Sequence, residues 1–569
     1  MKNTDNRDNS SSFALFDNAI TGQYFLLDSL VFVQKISFFE LANLDEILQD
    51  GWRKNYYSAM LIEYEFYLTI LWYRNKTELN EEELNNFLSK NNSTVAISKA
   101  IANISEDEYK NKIEVIKEHI LAGDNYQTNF TYLLKFNAYG EVRELYRKLR
   151  QKAAYQALIK ISNDEYILSF SPELFFEIKD RRVQTKPMKG TISIAKQPDE
   201  LRDEKNLAEN TMIVDLMRND LGKICEIGTV KVENPFEIIR FNSVYQMVST
   251  VCGKLKDGIS FAEIFAALFP SGSITGAPKL KTMEIIDKLE KDKRGIYTGS
   301  IGYIAKDYAK FNVAIRTISL TRIAKRDEFS AIYGVGGGIT ILSNPDEEYL
   351  ETKLKAELIS NLSPDFAIFE TMKVEKHQIK LLKYHLNRLE KSAQELNFSL
   401  DKNILHLLDK YIQSNCDKRK NYRLKLSLSS NGIEINATEL DNIAKRQKII
   451  IADVELENHN YLRRYKTDRR KIFDEWLKKS TARGAFDAIF FNQDGYLLEG
   501  ARTFVAVKLH SQWYLPPLSL DILPSITREM FIEKYQAEAK SISKKEFLSA
   551  EEIVIGNALR GFLQAEILL

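Results

Sequence analysis

The sequence predicts an α+β fold built from at least two domains. A chain of 569 residues is too long for a single hydrophobic core. From Phe13 onward, apolar runs with the periods of strands and of helices are separated by turn residues, and the segment 361–365 (Asn-Leu-Ser-Pro-Asp) interrupts them. We therefore expect a polar, disordered tail at 1–12, a first module over 13–360, a linker over 361–365 and a second module over 366–569.

Several elements of the first module follow from these periods. Short apolar segments predict strands at 166–170, 302–305 and 311–316, the last with alternating polarity. Residues 203–220 predict a helix. A second helix should follow Pro278, because proline fits a first helical turn, free amides at such an end bind anions, and one face is shared by Leu280, Met283, Ile286 and Leu289.

Composition and charge restrict the class of protein. Hydrophobic residues make up 44% and charged residues 28% of the chain, which is typical of globular proteins. The 80 basic and 79 acidic side chains nearly cancel, so no strong field favours nucleic acid or anionic lipid. No apolar run is long enough to span a bilayer, and residues 1–12 lack the apolar core of a signal peptide. We expect a cytoplasmic protein without a nucleic-acid or membrane partner.

Cysteine and histidine usage exclude several kinds of chemistry. The three cysteines, Cys225, Cys252 and Cys416, have neither a disulfide pattern nor a zinc spacing. His119 is the only histidine before residue 370, so the first module cannot contain a zinc site with two histidines. Chemistry in that module therefore has to rely on carboxylates, lysines and a hard cation.

A ten-residue segment carries the most specific motif of the first module. Residues 270–279 read Pro-Ser-Gly-Ser-Ile-Thr-Gly-Ala-Pro-Lys and resemble the signature of the chorismate-utilising enzymes. Further segments resemble this family at 123–129, 171–173, 208–216 and 348–352. The resemblance implies a fold like that of anthranilate synthase component I, an α/β sandwich, with chorismate as the substrate.

The resemblance assigns two catalytic residues. Glu173 matches the general acid that protonates the departing C4 hydroxyl of chorismate, and desolvation would have to raise its pKa for that role. Lys189 precedes a Gly-Thr pair, where anthranilate synthases carry alanine and aminodeoxychorismate synthases carry a nucleophilic lysine. This lysine would add to C2 of chorismate before ammonia attacks C4 and expels it. Taken singly, a glutamate or a lysine is more often solvent-exposed.

The same resemblance implies the substrate contacts. Gln127 stands where water-adding relatives carry a lysine, so it favours ammonia as the nucleophile. Arg316 matches an arginine whose planar fork suits a carboxylate. The other residues placed around the substrate are Thr275, Gly276, Ala277, Tyr297, Gly336, Gly337 and Lys355.

Two acidic segments resemble the Mg²⁺ ligands of the family. Glu209 and Glu351 would bind the ion, together with Glu348, which shares a helix face with Glu351. Mg²⁺ commonly takes one or two protein carboxylates and completes its shell with ligand oxygens, and the resemblance implies that it holds the ring carboxylate of chorismate. Asn206 stands where relatives often carry a second acid, and isolated acidic pairs are more often solvated.

In the second module, residues 369–372 (Phe-Glu-Thr-Met) followed by 385–389 (His-Leu-Asn-Arg-Leu) resemble the start of the fold-type IV pyridoxal-phosphate enzymes, which include D-amino-acid aminotransferases and aminodeoxychorismate lyases. Lys466 is the candidate Schiff-base lysine, and Glu499 matches the glutamate that pairs with the pyridinium nitrogen of the cofactor. The remaining cofactor contacts implied by the resemblance are Arg388, Ile526, Thr527 and Asn557.

The second module departs from that family at three positions. Ser525 replaces a glycine, Ala558 replaces a serine, and Phe504 stands where an asparagine is common. Lys466 also lies in a basic run over 463–471, which is compatible with a solvated face. An inert docking or stabilising domain is therefore the alternative to an active lyase.

Together the two modules predict a bifunctional enzyme of 4-aminobenzoate synthesis in the folate pathway. The first module would aminate chorismate to 4-amino-4-deoxychorismate, and the second would eliminate pyruvate from it with pyridoxal 5'-phosphate. No cysteine lies in the Gly-x-Cys-x-Gly motif of a glutamine amidotransferase, so ammonia should come from a separate subunit or from solution. A homodimer through the second module is a further expectation. The alternative for the first module is an anthranilate synthase, against which Lys189 argues.

Overall fold

The structure is a computed structural model that describes residues 12–89, 94–241, 244–323 and 327–568. The predicted tail at 1–12 lies, except for Ser12, outside the described residues. The chain divides into two compact units. Unit 1 consists of the residues up to 93 with 100–322 and 329–362, and unit 2 consists of 94–99, 323–328 and 363–569.

The first part of the chain is rich in strands. In chain order these are β1 Phe13–Asn18, β2 Gln23–Ser37, β3 Tyr57–Ile62, β4 Tyr67–Leu79, β5 Ala96–Ile97, β6 Ile101–Ala102, β7 Gln127–Tyr139, β8 Tyr155–Lys160, β9 Glu165–Ser171, β10 Leu174–Lys179, β11 Arg182–Lys186, β12 Met188–Ser193, β13 Lys231–Phe241, β14 Val244–Lys254, β15 Gly276–Ala277, β16 Ser300–Ala305, β17 Tyr308–Val313, β18 Thr317–Arg322 and β19 Glu328–Ile339. The helices are α1 Leu44–Arg53, α2 Glu81–Leu88, α3 Glu106–Leu121, α4 Val142–Leu149, α5 Glu204–Ile224, α6 Phe261–Leu268, α7 Lys279–Leu289 and α8 Pro345–Ser360, with 3-10 turns at Phe38–Asn43, Pro198–Arg202 and Gly272–Ile274.

The strands of unit 1 pair into one continuous network. The hydrogen-bonded order is β7, β19, β18, β9, β8, β1, β2, β4, β3, β16, β17, β10, β11 and β14, and β12 and β13 both pair with β14. A network of this length curls back on itself because strands twist. The consequence is a sheet that buries both of its faces.

Strand β3 shows how the two faces are used. Met60 and Ile62 join a core that includes side chains of helices α5 and α6, whereas Ala59 and Leu61 join a second core that includes side chains of strands β1, β2 and β8. This division follows from the alternation of side chains along a strand. Unit 1 is therefore an α/β sandwich, with helices on one face of the sheet and further strands on the other.

The predicted elements of this unit are largely confirmed. The strands at 166–170 and 302–305 are β9 and β16, and the helix at 203–220 is α5. The strand predicted at 311–316 is β17, which already ends at Val313. Arg316 instead has a positive φ of 49°, which takes it out of the extended conformation.

The helix predicted after Pro278 is α7, and its buried side differs from the face that the pattern selects. Leu280 is 79% exposed, whereas Ile286 and its neighbour Ile285 are buried together with Thr282. The apolar pattern therefore identified the helix correctly but placed its core-facing side too far toward Leu280, in the exposed first turn.

Unit 2 contains two sheets. Its strands are β20 Ile368–Glu375, β21 Gln378–Ile379, β22 Asn421–Ser429, β23 Gly432–Glu439, β24 Arg446–Leu456, β25 Asp487–Asn492, β26 Leu497–Gly500, β27 Phe504–Leu509, β28 Gln512–Leu515, β29 Glu538–Ala539, β30 Glu552–Asn557 and β31 Gly561–Ile567. Its helices are α9 Leu382–Glu395, α10 Ile404–Asn415, α11 Lys471–Ala482, α12 Ile526–Tyr535 and α13 Lys544–Leu548, with 3-10 turns at Tyr461–Arg464 and Leu518–Leu520.

The two sheets of unit 2 differ in their topology. The smaller one is antiparallel, in the order β21, β20, β22, β23. The larger one is mixed, in the order β26, β25, β24, β31, β30, β27, β28, β29, with parallel pairs where β24 meets β25 and β31. Ile449 and Ile450 of β24 face different cores, so this sheet too is buried on both sides. None of the described helices combines the length and the hydrophobicity that crossing a membrane requires.

Candidate active sites

Unit 1 has a cavity of about 190 Å³ at which several distant segments meet. The predicted site residues that line it are Glu173, Lys189, Glu209, Tyr297, Arg316, Gly336, Glu348, Glu351 and Lys355. The others form the layer next to it. Gly276 and Ala277 pair as β15 with Thr128 and Gln127 of β7, and the side chain of Thr275 is fully buried and donates to the carbonyl oxygen of Ser271 at 2.9 Å.

The side chains of Lys189 and Glu173 are linked through one serine. The Nζ of Lys189 donates to the carbonyl oxygen of Ser273 at 3.2 Å, and the Oγ of Ser273 donates to Oε1 of Glu173 at 2.6 Å. Burial raises the pKa of Glu173 to about 7, against the hydrogen bond from Ser273 and the charge of Lys189. Burial also lowers the pKa of Lys189, against the charges of Glu209 and Glu173. The pair is therefore suited to supply an acid and an uncharged amine together.

Gln127 lies in the layer next to this corner of the cavity, beside the lining residue Gly338. Both amide atoms of Gln127 are buried and have no hydrogen-bond partner in the described part of the chain. A Cβ on Gly338 would lie 2.1 Å from Nε2 of Gln127 and 3.1 Å from Nζ of Lys189. The two side chains thus converge over Gly338, and a side chain at this position would have to push both of them aside. A buried amide without a partner is costly, and a ligand in this corner would satisfy it.

A second corner of the cavity is positively charged. The guanidinium of Arg316 has no ion-pair partner among residues 12–89, 94–241, 244–323 and 327–568, and burial lowers its pKa. The Nζ of Lys355 contacts the carbonyl oxygen of Gly336 at 2.8 Å and the carboxylate of Glu351 at 2.7 Å. An unpaired arginine in a cavity favours an anionic ligand such as a carboxylate.

The three predicted metal ligands line the same cavity and offer the oxygen donors that Mg²⁺ takes. Glu348 accepts a hydrogen bond from Ser343 at 2.7 Å, and Glu351 pairs with Lys355. Within the described residues, no group of three or more His, Cys, Asp or Glu side chains forms a metal cluster. The cavity therefore offers donors of the kind that Mg²⁺ takes, and a site of one or two of these carboxylates would need ligand oxygens to complete it.

Arg294 is an important residue of this region that sequence reasoning missed. It is 4% exposed and binds Glu290 at 2.6 Å. Its guanidinium also donates to the carbonyl oxygens of Ile274 and Asn129, at 2.9 and 2.7 Å. It thereby fixes the signature segment to β7. No signal in the sequence identifies it, because it ends a charged run, 290–294, that reads as solvent-exposed.

Unit 2 has a larger cavity, of about 700 Å³. The predicted residues Arg388, Lys466, Glu499, Ile526 and Asn557 line it, and Thr527 lies beside it, with its Oγ1 3.1 Å from Oγ of Ser525. Of the three departures from the family pattern, Ser525 and Ala558 line the cavity, and Phe504 also packs against Phe531 at a centroid distance of 5.6 Å.

Lys466 has a free amine in this cavity. The structure shows no hydrogen bond or ion pair of its Nζ within the described residues, and Nζ lies 5.2 Å from the centroid of the Phe369 ring. Burial and the charge of Arg388 lower the pKa of Lys466 to about 7. The backbone is held against β20, because the N–H of Phe369 donates to the carbonyl oxygen of Lys466 at 2.8 Å. The lysine is thus fixed in position but available for reaction.

The surroundings of Lys466 fit pyridoxal phosphate. Burial raises the pKa of Glu499 to about 7, and the backbone N–H of Leu523 donates to its carboxylate at 3.4 Å. Helix α12 begins at Ile526 on the cavity wall, where its free amides suit a phosphate. Arg388 lies there too, but it already binds Glu370 at 2.7 Å and the carbonyl oxygen of Pro524 at 3.1 Å. These contacts use three of its five N–H groups, which leaves two for a phosphate.

Comparison with known proteins agrees with this division. Residues 45–361 match the family described as chorismate binding enzyme, and residues 367–567 match the family described as amino-transferase class IV. An aminodeoxychorismate synthase component 1 from Bacillus subtilis is 37% identical over 266 residues, which are 45% of this chain and 55% of that protein. An anthranilate synthase component 1 from Haloarcula marismortui is 38% identical over 268 residues, which are 45% of this chain and 53% of that protein.

The chain thus spans about half the length of these curated relatives. A crystal structure described as a 2,3-dihydroxybenzoate-specific isochorismate synthase from Bacillus anthracis has a TM-score of 0.53 at 18% identity, over 63% of this chain and 96% of that chain. It shares the fold of the first part of the chain. The predicted folds, one like anthranilate synthase component I and one of the class IV aminotransferase type, are confirmed by these matches.

Proposed function

Since the chain belongs to the family of chorismate binding enzymes, which its residues 45–361 match over more than half of its length, we propose that unit 1 aminates chorismate at C4. The observation that carries this proposal is the link from Lys189 through Ser273 to Glu173 at the cavity. Relatives named aminodeoxychorismate synthase and anthranilate synthase match the chain at similar identity. The choice between C4 and C2 amination therefore rests on Lys189.

The proposed reaction proceeds in two displacements. The uncharged amine of Lys189 forms a bond to C2 of chorismate while Glu173 gives its proton to the C4 hydroxyl, which leaves as water as the ring double bonds shift. The attached nitrogen then gives its extra proton to the Glu173 carboxylate. Ammonia next forms a bond at C4 and the double bonds shift back, while Glu173 returns the proton to the lysine nitrogen, which leaves C2 as a free amine. The new ammonium at C4 gives a proton to Glu173 and restores the acid. The products are 4-amino-4-deoxychorismate and water. Gln127 lies beside Lys189 and offers its unpartnered amide to the reactants.

Charge complementarity in the cavity supports a dicarboxylate substrate. The unpaired Arg316 would bind one carboxylate of chorismate in bidentate fashion. Glu209 and Glu351 would hold Mg²⁺, with Glu348 beside them, and the ion would supply the positive charge that balances a second carboxylate. The ammonia would come from a separate glutamine amidotransferase subunit, because Cys225, Cys252 and Cys416 are all buried and none lies in a glutaminase motif.

For unit 2 we propose the elimination of pyruvate from 4-amino-4-deoxychorismate, which yields 4-aminobenzoate. The class IV aminotransferase fold implies pyridoxal phosphate, and the bound cofactor would supply an electron sink for the substrate amine. Lys466 would hold the cofactor and move the proton between the substrate carbon and the leaving group. Glu499 would keep the cofactor's ring nitrogen protonated. Arg388, Thr527 and the amide of Ile526 would bind the phosphate.

The decisive experiment supplies the purified chain with chorismate, Mg²⁺, ammonium and pyridoxal phosphate, and identifies the products by mass. We expect 4-aminobenzoate and pyruvate, with 4-amino-4-deoxychorismate as the species that accumulates when the cofactor is left out. An accumulation of 2-aminobenzoate would instead identify an anthranilate synthase. An accumulation of 4-amino-4-deoxychorismate with saturating cofactor would assign unit 2 the inert, stabilising role.

Glu173 should give the amination a pH dependence. Because burial raises its pKa to about 7, the carboxyl loses its proton, and its function as an acid, as the pH rises through that value. The charges of Lys189 and Lys355 oppose this shift. The rate per unprotonated ammonia should therefore fall above about pH 7. Glu173→Gln should lose roughly a hundred- to ten-thousandfold in rate. The rate of this variant should also no longer fall above about pH 7. If the rate of Glu173→Gln still falls above about pH 7, the pH dependence belongs to another group.

Alanine in place of Gly338 should impair unit 1 without unfolding it. The new Cβ would meet the ends of two side chains, Gln127 and Lys189, at 2.1 and 3.1 Å, and would displace Lys189 in the cavity and Gln127 beside it. We expect a tenfold or larger loss of amination, on the scale at which a misplacement of about 1 Å acts. In Gly336→Ala, by contrast, Cβ would meet the backbone oxygen of Phe130 at 2.3 Å. That variant should lose thermal stability, whereas Gly338→Ala should keep the melting temperature. Full activity of Gly338→Ala would contradict the prediction.

A further inference from the structure

Besides Lys466, and Arg463, whose guanidinium donates to the carbonyl oxygens of Asp521 and Leu520, four cations line the unit 2 cavity without an ion pair in the described part of the chain. They are Arg423, Lys425, Arg502 and Arg560, and no ion pair joins any of them to an acidic side chain in the part of the chain that the structure describes. Other cations of the same wall are neutralised, for instance Arg470 by Asp474 at 2.8 Å. The four side chains therefore form an excess of positive charge on a cavity that also contains Lys466.

Strand β22 positions two of them. Its alternate residues Leu424 and Leu426 are fully buried, so Arg423 and Lys425 project from the opposite face. Lys425 stands directly across from Thr371 of β20, another residue of the cavity wall. Its ammonium lies 4.7 Å from the centroid of the Phe369 ring, the same ring that Lys466 approaches at 5.2 Å. The cations of β22 thus share the cavity wall with the reactive lysine.

Two loops position the other pair, and a single asparagine joins them. Arg502 follows β26, and Arg560 lies in the turn between β30 and β31. The Nδ2 of Asn557 donates to the carbonyl oxygen of Arg502 at 3.2 Å, and its Oδ1 accepts the N–H of Arg560 at 3.1 Å. The guanidinium of Arg502 also donates to the carbonyl oxygen of Phe486 and lies 3.9 Å from its ring centroid. Asn557, predicted to contact the cofactor, is in this structure the residue that holds both arginine loops.

The charges of these residues act on one another. Burial lowers the pKa of Arg502; Asp487 opposes the shift, and the neighbouring charges of Arg560 and Arg423 reinforce it. Arg423 also contributes to the low pKa of Lys466. Like charges held together on a cavity wall repel each other until an anion joins them. The arrangement favours a ligand with more than one negative charge.

We propose that Arg423, Arg502 and Arg560, with Lys425, form a subsite that binds the two carboxylates of the substrate of unit 2. This subsite rests on the function proposed for unit 2 and would explain which substrates that unit accepts. 4-Amino-4-deoxychorismate carries a ring carboxylate and an enolpyruvyl carboxylate, both remote from its amine. A subsite that binds this pair selects such a dianion and rejects amino acids whose single carboxylate adjoins the amine. It would direct a class IV aminotransferase fold toward elimination from a ring-borne dicarboxylate.

Direct binding of a simple dicarboxylate tests the subsite without catalysis. The probe is isophthalate (benzene-1,3-dicarboxylate), titrated calorimetrically into the full chain saturated with pyridoxal phosphate, with benzoate as the monocarboxylate comparison. We expect isophthalate to bind at least about tenfold more tightly than benzoate and Arg423→Gln/Arg560→Gln to lose about ten- to a hundredfold in isophthalate affinity. Arg483→Gln, which removes an exposed arginine of unit 2 outside the cavity, is the matched control.

Any isophthalate that unit 1 binds contributes equally to all three proteins, so the difference between them reports on unit 2. Equal binding by the wild type and the double variant, or no binding by the wild type, would overturn the proposal. In steady state, the double variant should raise KM for 4-amino-4-deoxychorismate about tenfold or more and change kcat far less. Loss of isophthalate binding in a chain without elimination activity would retain the subsite and reject the reaction. An unchanged KM together with unchanged binding would retain the reaction and reject the subsite.

Discussion

Alanine in place of Lys189 is expected to abolish the formation of 4-amino-4-deoxychorismate from chorismate and ammonium. The loss should be roughly a thousandfold or more, the scale on which removal of a catalytic acid or nucleophile acts. Lys189 offers an amine whose pKa is lowered by burial, and Ser273 links it to the acid Glu173. Without the amine, the bond to C2 cannot form. Glu173 then has no nucleophilic attack to accompany when it protonates the C4 hydroxyl.

This loss should not arise from unfolding. A lysine whose folded pKa lies below its ordinary value destabilises the folded chain when it is protonated, and this destabilisation grows as the pH falls through the window between the two values. Removing the side chain removes that penalty and, among the described residues, one hydrogen bond, to Ser273. The melting temperature of Lys189→Ala should therefore equal that of the wild type above pH 10.5, the ordinary lysine pKa, and exceed it increasingly as the pH falls below that value.

The matched control is Lys186→Ala. Lys186 lies three residues earlier, in β11, and does not line the cavity. Its variant should keep both the rate and the product, as measured by mass detection with ammonium supplied. Wild-type rates of 4-amino-4-deoxychorismate formation by Lys189→Ala would refute covalent catalysis. Formation of 2-aminobenzoate by that variant would show that the scaffold also permits direct amination at C2, and that Lys189 selects the product.

The sequence identified those functional residues that lie within a recognisable motif. One cavity is lined by Glu173, Lys189 and Arg316, although Glu173 and Arg316 are more than a hundred residues apart in the sequence. Each of the three lies in a segment that resembles the family. Strand and helix periods likewise predicted β9, β16 and α5. What these cases share is that the signal is local.

Residues whose function depends on distant packing left no such signal. Arg294 reads as the end of a solvated charged run, and only the fold shows that its guanidinium joins the signature segment to β7. Arg423 and Lys425 alternate with buried leucines and read as the solvent face of a strand. That face is the wall of a cavity because residues far along the chain, around Arg502 and Arg560, close over it. Periodicity predicts which face of a strand is polar, not what the polar face meets.

Alanine in place of Lys466 should abolish the visible absorbance of bound pyridoxal phosphate and the formation of 4-aminobenzoate, while chorismate amination continues. Lys425 of β22 is the other lysine that lines this cavity in the described part of the chain, whereas it is the amine of Lys466 whose pKa is lowered by burial and by Arg388. We therefore expect no other lysine to replace it. The control is Lys471→Ala, whose side chain is 92% exposed and pairs only loosely with Glu475, at 4.0 Å; it should keep both the absorbance and the product.

The pH at which the cofactor is taken up separates a reactive lysine from an ordinary one. Only the uncharged amine reacts with the aldehyde of the cofactor, and an exposed lysine is almost wholly charged at pH 8. Because burial and Arg388 lower the pKa of Lys466 to about 7, most of its amine is uncharged at that pH. Uptake, followed by absorbance, should therefore be nearly complete at pH 8 and decline as the pH falls below about 7. A wild-type chain that shows no absorbance band with saturating cofactor at pH 8 would contradict a reactive Lys466. The 700 Å³ cavity would then belong to a domain that retains the shape of the class IV fold without its chemistry.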